Sequence, residues 1–363
     1  MKKIISMVIG AVILFTPTLG MAAGKTYKLN ISQAIDLAVE NDKQRLMDDL
    51  NIKIKEIVQQ ESKVSNSFGV SGPALDVAYK NNVEPIQVET DVEMAKRTKA
   101  KNLNNLRLKA YKACLDVLLT RSELEKEQQK LDIIKQKHEM LKVQLRQGKA
   151  VETDLIDAEY KVENKELDVT KVKQKLETVN LELKKILNCN LDEDNVLLED
   201  TINFVNLNEL NSVDEWITRI PKTDDTVYEK SQSVKIKDKS LEQTSHYLRP
   251  GDSAYELTKF GLETAKNELE DAKRKIEIDI YNNYNDLLSQ KENAELAIGY
   301  ANLIEKTYKA AQVKYDNGMA SKLDVLNALE RKLDAEYQKL SAISDYSYKK
   351  AEFENLVKQD ISK

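Results

Sequence analysis

After Gly148 apolar residues recur at alternating three- and four-residue intervals. Leu155, Ala158, Val162, Val169, Val172, Leu176, Val179, Leu183 and Ile186 hold one stripe over more than four heptads, broken only by Lys165. A strict seven-residue repeat predicts a coiled-coil seam, a helix winding left-handed about a neighbour. The segment before the glycine carries a weaker stripe in Leu124, Leu131, Ile134, Leu141 and Leu145. Two helices joined through Arg146-Gln147-Gly148-Lys149 are therefore predicted to fold back as a long antiparallel hairpin. A second hairpin follows the same logic. Leu262, Ala265, Leu269, Ala272 and Ile276 open a helix that continues through Ile304, Tyr308 and Ala311 toward Gly318, and Leu326, Leu333, Tyr337 and Leu340 mark its return. Asp316-Asn317-Gly318 suits the left-handed backbone at a helix end. Ala265, Ala272, Ala301 and Ala311 keep the seam thin enough for close helix approach.

The two hairpins are an internal repeat. A shift of 170 residues lays Gly148 on Gly318, Ala150 on Ala320, Asp154 on Asp324 and Ala158 on Ala328, so the pattern Gly-x-Ala-x-x-x-Asp-x-x-x-Ala occurs twice. Each hairpin is preceded by a shorter helical stretch. Leu29-Asn30-Ile31-Ser32-Gln33-Ala34-Ile35-Asp36-Leu37-Ala38 opens the first half with a Ser cap, Ser32, before an amphipathic helix, and Leu210-Asn211-Ser212-Val213-Asp214-Glu215-Trp216-Ile217 is its counterpart. The halves are read as 23–188 and 209–363, joined by a loop over 189–208. Only 10 Gly and 5 Pro punctuate 363 residues, which favours long elements and an all-α fold.

Composition changes the picture at the N-terminus. Lys2 and Lys3, the apolar run Ile4 to Phe15 and the small stretch Gly20-Met21-Ala22 have the order of a secretory signal peptide, read as 1–22 and cleaved after Ala22. The apolar run is well short of the roughly 20 residues that span a bilayer as a helix. Export places the chain in the cell envelope. Losing Lys2 and Lys3 moves the formal charge from −5 to −7, and that acidity argues against a nucleic-acid partner. Cys114 and Cys189 lie at different distances from the Gly148 turn, and a bridge between them is not expected. The two histidines, His138 and His246, belong to no metal or nucleophile motif, and His138 falls on the Leu131–Leu145 stripe as a boundary residue. No phosphate loop, dinucleotide turn or nucleophile elbow occurs. Neither an enzyme nor a cofactor is expected.

The start Ile31-Ser32-Gln33-Ala34-Ile35-Asp36-Leu37-Ala38-Val39-Glu40-Asn41, the duplication and the two Gly-to-Asp turns resemble the TolC family of outer-membrane efflux proteins over most of the chain after Ala22. The resemblance implies a trimeric α-helical barrel of paired hairpins whose turns form a closable tip. It also implies partnership with a periplasmic adaptor and an inner-membrane transporter, and an outer-membrane location. The chain departs from the family in two respects. Gln147 and Asn317 stand before the turn glycines where the family usually has an apolar residue. The family also inserts two β-strands between medium and long helix in each half to build a membrane barrel, whereas here 245–254 is too short for two strands of about 9–11 residues. The longer stretch 65–90 contains Leu75-Asp76-Val77-Ala78-Tyr79-Lys80, which reads as a helical turn. Barrel strands are expected to be absent or vestigial.

By the same resemblance Gly148 and Gly318 are tip turns, and Thr153, Asp154, Tyr315 and Asp324 form an entrance gate in which Tyr315 pairs with Thr153 or Asp154. Ala320 replaces the family's gating Arg and Asn327 an acidic residue, so half of that lock is missing. The expected function is a passive efflux or export conduit. A coiled-coil envelope scaffold that transports nothing is the alternative.

Overall fold

The computed structural model describes residues 26–67, 69, 71–192, 194–203 and 213–357. The leader at 1–22 and the cap Leu210-Asn211-Ser212 lie outside the described residues. The chain opens with β1 (Thr26–Leu29), α1 (Ile31–Glu40), α2 (Lys43–Ser67) and α3 (Ala74–Asn82). The cap of α1 is Asn30 and not Ser32, because the Asn30 carboxamide accepts the Gln33 N–H at 2.8 Å while the Gln33 side chain accepts the Asn30 N–H at 2.9 Å, which starts the helix one residue ahead of the serine. The first hairpin is α4 (Glu84–Arg146) and α5 (Glu152–Ile186). Then come β2 (Asn195–Leu198), α6 (Val213–Arg219) with a 3-10 turn Ile220–Lys222, α7 (Asp225–Tyr247), and the second hairpin α8 (Ser253–Asp316) and α9 (Lys322–Leu356). Both expected hairpins form, with arms of 63 and 35 residues in the first and 64 and 35 in the second.

Neither connection that would carry barrel strands contains one among the described residues. In the first, Ala74–Asn82 is the helix α3, and in the second α7 ends at Tyr247 and α8 starts at Ser253 after a turn at Gly251. α3 has a packing role of its own. The Tyr79 hydroxyl is shared with Thr244 Oγ1 at 2.7 Å and donates to the Ser240 carbonyl at 3.2 Å, and Asn82 Nδ2 donates to Gln243 Oε1 at 3.1 Å. These bonds pin the first half to α7 of the second. Tyr79→Phe is expected to cost about 1 kcal/mol, the usual worth of a part-buried hydrogen bond, and to speed amide exchange in α3 before the rest of the chain. Unchanged α3 exchange would show the clamp to be idle.

The one feature absent from the all-α expectation is a two-stranded parallel sheet, β1 beside β2 with Thr26 opposite Asn195 and Leu29 opposite Leu198. It lies partly in the stretch read as an inter-repeat loop. Four-residue strands carry too little alternation to stand out in a sequence. The sheet closes the first core, where Ala34, Ile35 and Ala38 of α1 meet Ala110, Cys114, Val117 and Leu118 of α4, Leu183 and Leu187, and Val196 and Leu198. The second half repeats this core with larger groups. Trp216, Ile220 and Val227 pack on Ile280, Leu287 and Ala294 of α8 and on Tyr346 and Phe353 of α9. Trp216 and Phe353 meet edge-on with centroids 6.2 Å apart.

The halves join along α4 and α9. Ile133 packs with Leu326 and Leu333, and Lys130 and Lys137 reach Asp334 and Glu330 at 2.7 Å each. The long arms therefore lie side by side in the order α5, α4, α9, α8, with α2 on α4 and α7 on α8 at the end away from the turns. The interrupting Lys165 has a partner, since its ammonium bonds Glu127 across the hairpin and Asp168 on its own helix, both at 2.9 Å. Cys114 and Cys189 are free, and burial pushes the Cys114 thiol up to about 12. His138 is an interior boundary residue as expected, 13% exposed, between Glu139 at 3.8 Å and Glu159 at 3.6 Å.

Candidate functional site

The tips are built by the two glycines. Gly148 has φ +68° and Gly318 φ +72°, a left-handed conformation in which a side chain is strained. Each lets the next amide turn back on the helix, Lys149 N–H to the Gln144 carbonyl at 2.8 Å and Met319 N–H to the Lys314 carbonyl at 2.7 Å. That is the six-residue return of a Schellman end. The repeated Asp has a local cause too. Asp324 accepts the Ser321 N–H at 2.8 Å and its hydroxyl at 2.7 Å, while Ser321 Oγ accepts the Asp324 N–H at 3.2 Å. This reciprocal box starts α9. At the first tip the Asp154 carboxylate accepts the Val151 N–H at 3.3 Å, and Val151 has no side-chain oxygen to complete the box, so the Asp154 N–H goes to the Val151 carbonyl at 3.1 Å. Val151→Ser supplies that oxygen and should stabilise the first tip by about 1 kcal/mol, read as a higher melting temperature. No rise would show that the Asp154 bond already suffices.

The Ser321 hydroxyl and amide hold the Asp324 carboxyl below the usual carboxylate range. Its sign follows directly: the cap stabilises α9 above the ordinary carboxylate pKa and is lost as pH falls through the depressed value. Tyr315 is half-exposed, with the Lys322 ammonium 5.8 Å from its ring centroid. Thr153 is exposed beside Asp154. Within one chain no hydrogen bond among the described residues joins Tyr315 to Thr153 or Asp154; α8 and α5 are the opposite edges of the layer.

The surface around the tips is apolar in a way the sequence reading missed. Val151, Met319 and Leu323 are exposed just after the turn glycines, and Val143 and Val313 are exposed five residues before them. A groove of about 520 Å³ lined by Lys309, Gln312, Val313, Tyr315 and Lys322 runs up from the second tip. Farther up, a cleft of about 650 Å³ between the halves is lined by charged side chains of both signs. There Arg97 lies between Glu93 and Asp225, both at 3.0 Å, and stacks on Tyr228 with its carbon 4.0 Å from the ring centroid. No cluster of metal-ligating side chains occurs among the described residues, and no described helix is long and apolar enough to cross a membrane.

No protein-family model and no curated protein matches the chain. Solved structures do. The outer-membrane channel OprN aligns with a TM-score of 0.69 at 10% identity over 92% of this chain and 91% of its own. The open state of the Neisseria gonorrhoeae MtrE outer-membrane channel gives 0.64 at 13% over 91% and 89%. The outer-membrane protein VceC from Vibrio cholerae gives 0.63 at 12% over 90% and 95%. At such identities the likeness shows the fold.

Proposed function

We propose that this chain, which has the fold of TolC-family outer-membrane efflux channels, is the passive conduit of an envelope export system. Three copies close into a helical tube, the paired tips form its entrance, and a periplasmic adaptor and an inner-membrane transporter deliver substrate to it. The observation that supports this reading is the likeness of more than nine-tenths of the two-hairpin chain to outer-membrane channels. The tips add chemical detail. Tyr315 lies 3 residues before Gly318 and Asp154 lies 6 after Gly148, on edges that face each other only between copies. The gate is then a contact between neighbours, Tyr315 donating to Asp154 or Thr153 of the next copy, while Asp324 adds negative charge around the axis. Val151 and Met319 offer the adaptor an apolar foothold at each tip.

A scaffold that transports nothing is the competing reading, and the helix and turn standing in place of barrel strands favour it. Recovery of partners from cross-linked envelopes separates the two. Co-purification of a transporter and its adaptor, lost in Val151→Glu/Met319→Glu while the oligomer persists, is the expected result. Envelope partners that include no transporter would overturn the conduit.

A further inference from the structure

The parallel sheet stops at β2, which has β1 on one side and no strand on the other. The pairing fixes where the β2 backbone points. Glu199 N–H donates to the Leu29 carbonyl at 3.0 Å, so Asn195, Leu197 and Glu199 turn their amides and carbonyls toward β1. Directions alternate along a strand, and Val196 and Leu198 therefore turn theirs to the outer edge. The Leu198 carbonyl bears this out, accepting Arg121 Nη1 of α4 at 2.9 Å. The Val196 N–H, the Val196 carbonyl and the Leu198 N–H face the same way and have no partner among the described residues. They open on a groove of about 520 Å³ between β2 and α5. Leu176, Leu181 and Leu197 give it an apolar lining, the last two exposed. Its charged groups are Arg121, Lys184 and Glu177, one positive charge in excess. Arg121 and Lys184 bond only the carbonyls of Leu198 and Leu191, and neither meets a carboxylate among the described residues.

We infer that this groove takes an extended, acidic segment of another protein, which adds to β2 as a third strand. Unpaired amides and a carbonyl at strand spacing are matched by another extended backbone, whereas a helix has already spent its own on itself. An edge that has to stay empty usually carries Lys, Pro or a bulge. Asn195-Val196-Leu197-Leu198 has neither residue, and its register against β1 runs without a bulge. Two strands alone are weakly stable, and a third would cover apolar surface that Leu181 and Leu197 leave exposed. The excess positive charge selects a carboxylate on the incoming segment, placed between Arg121 and Lys184. The site is also remote from the tips. Arg121 lies 27 residues before Gly148 and Leu176 lies 28 after it, which at the helical rise is about 40 Å along the hairpin. The groove is thus separate from the tip surface given to the adaptor, and its occupation does not depend on closure of a ring.

Amide exchange and peptide titration on the chain from Ala23 test the inference. In the free chain the Val196 and Leu198 amides should exchange about tenfold faster than the Leu197 amide, a difference of roughly one hydrogen bond. The probe is an acetylated and amidated hexapeptide of alternating valine and threonine with one central aspartate. Two analogues accompany it, one with lysine for the aspartate and one N-methylated at every amide. The aspartate peptide should bind and slow exchange at Val196 and Leu198 while leaving the amides at the Gly148 turn unchanged. The lysine analogue should bind about tenfold more weakly, and the N-methylated analogue should not bind. Leu181→Glu, at a position exposed in the free chain, should abolish binding with an unchanged thermal midpoint. No binding of the aspartate peptide at about 1 mM, or equal binding of the N-methylated analogue, overturns the added strand. Equal binding of the aspartate and lysine peptides overturns the acidic class of partner. Protection of Val196 and Leu198 in the free chain also overturns the inference, with a dependence on protein concentration making a second copy the occupant and its absence making it the chain itself.

Discussion

Leu183→Asp is expected to destabilise the root of the first hairpin by at least about 4 kcal/mol, combining the loss of a buried leucine with burial of an unpaired carboxylate. Leu183 is fully buried among Ala34, Cys114, Leu118 and Leu187, where α1, α4 and α5 meet under β2. The seam loosens toward the tip, so the same change at half-buried Leu176 should cost less, and Glu177→Lys on the exposed face should be close to neutral. Thermal unfolding followed by circular dichroism ranks the three. Equal midpoints for Leu183→Asp and Glu177→Lys would mean that the helix does not bury the face assigned to it.

Lys165→Met should be the most costly change outside the apolar cores, at about 2 kcal/mol. Removing one member of a buried pair costs about 3–5 kcal/mol when the other is left alone. Here Lys126 remains on the second oxygen of Glu127, at 2.8 Å. Glu127 is 8% exposed. Burial alone would raise its carboxyl, but hydrogen bonds from Lys126 and Lys165 outweigh that and hold it below the usual range. Burial would likewise lower the Lys165 ammonium, and its bonds to Asp168 and Glu127 raise it instead. A depressed carboxyl stabilises above its unfolded pKa and fails as pH drops through the folded one, and a raised ammonium stabilises below its unfolded pKa and fails as pH climbs through the folded one. The penalty of Lys165→Met should thus be full at neutral pH and shrink below about pH 4.5 and above about pH 10.5. Adding Glu127→Gln should recover part of the loss. A penalty that does not change with pH would show that the side chain acts by packing alone.

The long hairpins were legible because burial against one neighbour imposes a seven-residue repeat, and the turns because only glycine adopts φ near +70° without strain. The missing barrel was legible as a length, since the connection after Tyr247 cannot hold two strands. What stayed hidden has physical reasons as well. β1 and β2 are short and pair across some 170 residues, so no local pattern announces them. The family resemblance implied a gate role for Asp154 and Asp324, and within one copy each caps the start of its helix. Capping and gating are compatible, because a carboxylate that accepts an amide keeps free lone pairs for a neighbour.

The central claim is that this chain encloses a channel. End-on images of the chain starting at Ala23, purified without detergent and averaged by electron microscopy, test it most directly. The account predicts a ring of three copies around an open centre, and a compact particle of one or two copies without a central hole would contradict it.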